Sequence, residues 1–296
     1  MAEREAEICV YEAADGYPLH YRRWAPAGRT RGRVVYLHGI QSHGGWYERS
    51  SRRLGDGGFE VLFPDRRGSG LNQPDRGHAD SAGQLLDDLY RLIAPLRHSV
   101  PAVPVLLLAV SWGGKLAVAF ARRHPECIDG LGLLDPGLFP RIRPRPDQRL
   151  LLGLLGRLGF KRLSARIPLD DPAWFTDVTC YQEFIAADPL ALHRVTVGFL
   201  LASRELDRCI EDAGGEIRIP LLLMLAGRDR IVDNVHTRAF FEKLPGAPKK
   251  RIEYPDAAHT LEFQAEPGPF LQDLVEWARA TSQQSLLRAR AAAASP

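Results

Sequence analysis

Cysteine is scarce and scattered: Cys9, Cys127, Cys180 and Cys209 are the only four in 296 residues, with no Cys-x-x-Cys pair. Such spacing excludes a structural zinc site and a disulfide framework, so free thiols in a reducing, cytoplasmic compartment are expected. No metal and no cofactor is implied. Long apolar runs are missing too, and nothing approaches the ~20 residues that span a bilayer. The opening stretch MAEREAEICVYEAADG is charged and lacks the apolar core of a signal peptide. Charge of one sign is equally sparse, at a formal net +3. With no basic helix and no basic patch interleaved with aromatics, a nucleic-acid partner is not expected. The one basic run, PRIRPRP (140–146), reads as a solvated loop, with an anionic substrate or transient contact with a membrane surface as the alternatives.

What is present is ordinary for a globular chain, with 45% hydrophobic and 25% charged residues. Short, β-branched-rich apolar runs alternate with amphipathic stretches, which points to an α/β fold with a mostly parallel sheet. EICVYEA and PLHYRRW read as a hairpin joined at Asp15-Gly16. RVVYLHG, FEVLFPD, VPVLLLAVS, IDGLGLLD, IPLLLMLAG and KKRIEYPDA follow as further strands. Between them, helices are expected in SAGQLLDDLYRLIAPLRH (capped by Ser81), WGGKLAVAFARRHP, HTRAFFEKLPG and PGPFLQDLVEWARATS.

The rhythm breaks between about Pro136 and Asp212, where no clear strand is visible. A stretch that long needs structure of its own, so it reads as a helical lid inserted in the core. The expected organisation is a core of residues 1–136 and 213–283, a lid at 137–212 and a disordered tail at 284–296.

Ser111 stands between a buried strand and a helix, where it could be a nucleophile on a sharp turn or a helix cap. The turn demands small residues two places to either side. Ala109 and Gly113 meet that demand, although glycine is more usual at the first. A serine hydroxyl needs a base, and the base needs a carboxylate to orient it. Asp229 follows the strand IPLLLMLAG and His259 follows KKRIEYPDA, so serine, aspartate and histidine occur in the order and context of an α/β-hydrolase triad. Asp135 also ends a strand and is the alternative acid. Asp233 looks like a helix N-cap. For the oxyanion, backbone N–H groups of Trp112 and Ile40 are the expected donors. His38 and Gly39 end the strand before Ile40, with His38 as a buried orienting residue.

The segment HGIQSHGGWYERSSRRLGDGGFEVLFPDRRGSGLN resembles the monoglyceride lipase and lysophospholipase group of α/β hydrolases, also described as serine aminopeptidase-like. That group reads His-Gly-x-Gly-Glu-His, a tyrosine, Gly-[FY]-x-V, then Asp-x-Arg-Gly-x-Gly-x-Ser. His38, Gly39, His43, Tyr47, Gly58, Phe59, Val61, Asp65, Arg67, Gly68 and Gly70 match in order, while Gln41, Ser42, Ser69 and Asn72 depart from it. The resemblance implies an α/β-hydrolase fold and a serine hydrolase. The expected substrate is a small, lipid-like carboxylic ester with an apolar acyl group, under a leucine-rich lid. The open alternatives are amide, thioester or carbon–carbon cleavage by the same triad, and a hydrolase fold that binds a ligand without catalysis.

Overall fold

The computed structural model describes residues 5–100, 102–211 and 216–293. Each apolar run singled out above becomes a strand. In chain order these are β1 (Glu7–Glu12), β2 (Pro18–Trp24), β3 (Gly32–Leu37), β4 (Phe59–Pro64), β5 (Val105–Val110) and β6 (Gly130–Leu134). After two short strands in the insert, β7 (Ser164–Arg166) and β8 (Arg194–Thr196), the series ends with β9 (Leu221–Ala226) and β10 (Lys249–Tyr254). Eight of them form one sheet in the order β1-β2-β4-β3-β5-β6-β9-β10, antiparallel at β1–β2 and β2–β4 and parallel elsewhere. β5, β6 and β9 are buried at every position, the environment that an unbroken apolar run encodes.

Parallel pairing requires crossovers, and helices supply them. These are α1 (Glu48–Asp56), α2 (Ala82–Ser99), α3 (Gly113–Arg123) and α7 (Asn234–Lys243), with α4 (Pro146–Arg157), α5 (Thr179–Ala187) and α6 (Val197–Glu211) in the insert; α8 (Gly268–Ala293) follows the last strand. Leu54 of α1 and Leu274 and Trp277 of α8 pack on one face of the sheet with Tyr36, Phe63 and Leu108. Leu89 of α2, Phe120 of α3 and Phe199 of α6 pack on the other with Val35, Leu107 and Leu131. Ser81 caps α2 by accepting the Gln84 N–H, and Asp233 caps α7.

Three features differ from the sequence expectation. α1 carries no apolar stripe, because its buried face is made of Ser50, Ser51, Leu54 and Gly55. The insert, expected to hold helical pieces and a loop with no clear strand, contains the antiparallel pair β7–β8, whose three-residue strands are too short to show alternation. The tail expected to be disordered from 284 continues α8 as far as Ala293. Ser285 hydrogen-bonds Asp129 there, and the alanines and arginines favour helix. Residues 1–4, the boundary expected at 212–213, and 294–296 lie outside the described residues.

Asp65, just past β4, gathers the loops at this end of the sheet. Its carboxylate accepts from the Arg22 guanidinium and from the N–H groups of Gly44 (2.8 Å) and Leu71 (2.9 Å). Gly70 passes so near, at φ +53°, that a Cβ would lie 2.3 Å from the carboxylate. Breaking a buried pair strands the remaining charge. Asp65→Ala is therefore expected to cost about 3–5 kcal/mol, read as a lower urea midpoint with an unchanged slope.

Candidate active site

β5 ends at Val110 and α3 begins at Gly113, leaving Ser111 and Trp112 to turn the chain. Ser111 has φ +51°, a left-handed backbone that costs a non-glycine residue about 1–3 kcal/mol. Neighbouring strand ends hold the turn in place. The Ser111 N–H donates to Leu134 O (3.1 Å), and its carbonyl accepts from Gly114 N–H (2.9 Å) and Gly137 N–H (2.6 Å). A Cβ on Gly113 would lie 2.6 Å from the His38 carbonyl, so α3 can start only with glycine at this distance. Ala109 is fully buried between β3 and β6, its methyl in the same core as Leu116 and Ala117 of α3. The cap reading of Ser111 fails: its hydroxyl bonds no backbone N–H of α3 and faces His259 instead.

The loops after β9 and β10 bring the other two residues to this turn. His259 Nε2 lies 3.0 Å from Ser111 Oγ, and Nδ1 lies 2.7 Å from Asp229 Oδ2. The second Asp229 oxygen accepts the N–H groups of Ile231 (2.7 Å) and Val232 (2.9 Å), which fixes the carboxylate plane. Both side chains are almost wholly buried. With Nδ1–H directed at Asp229, the Nε2 lone pair faces the serine hydroxyl.

Asp135 does not hydrogen-bond His259. It sits behind Asp229 at φ +42°, accepting the Ala226 N–H at 2.6 Å. Burial, reinforced by the Asp229 charge, holds its carboxyl well above the usual carboxylate range. His38 is buried, with Nδ1–H donating to Gly39 O and Nε2 accepting the Arg66 N–H, both at 2.8 Å. Burial, then the Arg66 guanidinium, keeps this imidazole well below the usual histidine range, and hence neutral. A Cβ on Gly39 would meet Ser111 Cβ at 3.2 Å, so the chain passes the serine closely. Among the described residues, the N–H groups of Ile40 and Trp112 donate to no other group. His43 lies apart from the serine: Nε2 donates to Asp188 of the insert (2.9 Å), and Trp46 Nε1 donates to the same oxygen (2.6 Å).

Asp188, Gly137, Glu262 and Arg66 escaped the sequence reading. Asp188 stands in an unremarkable Ala-Asp-Pro, and its partners are far away in the chain. Gly137 follows Asp135-Pro136, where a close approach to Ser111 leaves no pattern. Glu262, three residues after His259, was the one with a visible position.

Serine, then aspartate, then histidine, carried on successive ends of a mostly parallel sheet, defines the α/β-hydrolase class of serine hydrolases. Residues 28–266 match the family model described as Serine aminopeptidase, S33, and the chain belongs to that family. It is 24% identical over 272 residues to a monoacylglycerol lipase of Mycolicibacterium smegmatis, covering 90% of this chain and 95% of the relative. With the human monoglyceride lipase it shares 26% identity over 254 residues, covering 84% and 82%. The crystal structure of the Paleococcus ferrophilus monoacylglycerol lipase superimposes with a TM-score of 0.79 at 25% identity, over 89% of this chain and 99% of that one.

The His259 loop is tied to α1 by Glu262, whose carboxylate accepts the Ser50 N–H in the first turn of that helix at 3.0 Å. Burial pushes this carboxyl up to about 7 from an ordinary 4.5, with the hydrogen bonds at Ser50 and Arg49 opposing. A raised carboxyl pKa means that the folded state binds the proton more tightly than the unfolded chain does. Stability should therefore fall as pH rises from about 4.5 to about 7 and level off above. Urea titrations across that window are expected to show the decline in the wild type and a flatter profile in Glu262→Gln.

Proposed function

We propose that the protein hydrolyses a carboxylic ester of an apolar acyl group, of the monoacylglycerol or lysophospholipid kind, through an acyl-enzyme on Ser111. The observation that carries this reading is the unbroken hydrogen-bonded chain from Asp229 through His259 to Ser111. His259 Nε2 takes the hydroxyl proton as Ser111 Oγ attacks the ester carbonyl. The negative oxygen of the tetrahedral intermediate accepts the N–H groups of Ile40 and Trp112. Collapse of that intermediate breaks the bond to the alcohol, which leaves with the proton held by His259. Water repeats the sequence on the acyl-enzyme, releasing the acid and restoring the serine. Asp229 holds the imidazole in the required tautomer and offsets the imidazolium charge.

Support for an apolar acyl group comes from the walls of the site. Phe175 of the insert stands edge-on to His259, with centroids 6.0 Å apart, and Trp46 packs against Phe175. The insert then acts as the lid. No residue of α4 is buried, and Leu150 is 78% exposed beside exposed Leu151, Leu154 and Leu158. Exposed Arg143, Arg145, Arg149 and Arg157 flank these leucines. Transient contact of α4 with an anionic lipid surface fits that combination. No helix among the described residues is long and apolar enough to cross a membrane. A cytoplasmic setting is in keeping with four cysteines that are all free.

On a p-nitrophenyl ester panel, turnover is expected to favour medium over acetyl chains. Ser111→Ala should lose at least about a thousandfold in kcat and all fluorophosphonate labelling while unfolding normally. Equal turnover by Ser111→Ala, or hydrolysis of aminoacyl anilides in place of esters, overturns the reading. Sedimentation with phosphatidylglycerol vesicles should exceed that with phosphatidylcholine vesicles. The Leu150→Asp, Leu154→Asp double variant should lose it, with p-nitrophenyl acetate turnover unchanged.

A further inference from the structure

Arg66 is a buried cation that pairs with no carboxylate among the described residues. Asp65, its neighbour in sequence, is engaged by Arg22. The Arg66 guanidinium instead donates to three neutral oxygens: Nη1 to Gly39 O (3.1 Å), and Nη2 to Ile40 O (3.1 Å) and to Ser69 Oγ (2.9 Å). Its own backbone N–H reaches His38 Nε2, so one residue grips the loop after β3 from the strand end to Ile40. The guanidinium also lies against a packed pair of aromatic rings, 4.7 Å from the centroid of Trp112 and 4.8 Å from that of Phe199, the two centroids being 4.9 Å apart.

The direction of these bonds matters. A trans peptide is planar, with its C=O and N–H pointing opposite ways. The carbonyl of the Gly39–Ile40 peptide is held by two donors, Arg66 Nη1 and His38 Nδ1–H. Holding that oxygen on the Arg66 side turns the Ile40 N–H to the other side and keeps it there. The same cation stacks on Trp112, whose N–H is the second unpaired donor beside Ser111.

We propose that Arg66 is a positioning residue for the oxyanion hole, orienting the Ile40 N–H through the Gly39 carbonyl of the same peptide and placing a buried cation, held in no salt bridge among the described residues, against that peptide and the Trp112 ring. The inference rests on the oxyanion roles assigned above to Ile40 and Trp112. A cation that is hydrogen-bonded only to neutral oxygens in the resting protein gains interaction when an anion forms nearby, so it favours the tetrahedral intermediate over the neutral ester. Arginine suits this place for its planar fork, which spans two carbonyls as a lysine ammonium cannot. Ser69 completes the arrangement by accepting the remaining Nη2–H.

The test compares Arg66→Gln and Arg66→Lys with wild type on one p-nitrophenyl ester. Two ligands of matching acyl chain are added: a trifluoromethyl ketone, which forms a tetrahedral adduct with the serine, and an unreactive ether. Arg66→Gln should lose roughly ten- to a hundredfold in kcat with KM changed less than about threefold. Ketone affinity should fall in parallel and ether affinity should stay level. Arg66→Lys, which keeps a cation and guards against a Gln variant that does not fold, should fall between the two on both scales. A merely structural role would weaken both ligands alike, and that result overturns the inference. So does a folded Arg66→Gln that keeps kcat within about threefold while turnover still requires Ser111. Turnover that survives Ser111→Ala overturns the proposed function first, and this inference with it.

Discussion

The left-handed backbone of Ser111 is the constraint on which the rest of the site depends. A non-glycine residue at φ +51° persists only where its surroundings hold it. They do so here from every side: Leu134 O accepts its N–H, Gly114 and Gly137 donate to its carbonyl, and Gly113 fits beneath the end of β3. Apart from Gly114, in the first turn of α3, each contact comes from the carboxyl end of a neighbouring strand or the chain just after it. The parallel sheet therefore does more than support the serine. By aligning those ends, it supplies the groups that keep an unfavourable turn in place.

Much of this was legible in the sequence, for identifiable reasons. Strands buried on both faces announce themselves as apolar runs, and the residues just past their carboxyl ends are where open α/β sheets place their chemistry. Ser111, Asp229 and His259 could thus be read from position and order even with Ala109 in place of the usual glycine. α1 could not be read, because small polar residues do the work of its buried face. The β7–β8 pair had too few residues to show a period. Asp188 and Arg66 were hidden for another reason: their partners are backbone oxygens or side chains brought close only by the tertiary fold. A local pattern records what a residue does to its own segment, and these two act on other segments.

Charge is distributed around the site in a way that separates its acids. Asp229 accepts two backbone N–H groups besides His259. Asp135, immediately behind it, accepts the Ala226 N–H and is pushed toward the neutral form by burial and by Asp229 itself. Burial thus acts against charge on the carboxyl that stands behind, while Asp229 is the one that faces the imidazole. Around Gly39, which passes Ser111 closely, His38 is held neutral and Arg66 is a buried cation. The electrostatic potential therefore rises from Asp229 toward Arg66, which favours the shift of negative charge that the proposed attack by Ser111 requires.

The ties between insert and core bear on how substrate reaches Ser111. Phe175 O accepts the Thr260 N–H (2.8 Å), and the Thr176 hydroxyl donates to Phe263 O (2.7 Å), both on the His259 loop. Leu192 N–H donates to Gln41 O, and Asp188 accepts from His43 and Trp46, so the loop after β3 is clamped as well. Burial raises the proton affinity of Asp188, but the His43 and Trp46 bonds prevail and leave it at about 2, so the clamp keeps its charge at any ordinary pH. An insert pinned to both loops cannot swing away as one body without dismantling the site it covers. α4 is the exception, with no buried residue and no such clamp. On the reading proposed above, the way in for the ester is therefore to be sought at α4, beyond the point where Arg141 ties the chain to Ile231 O and Val232 O, with the rest of the insert serving as a fixed wall.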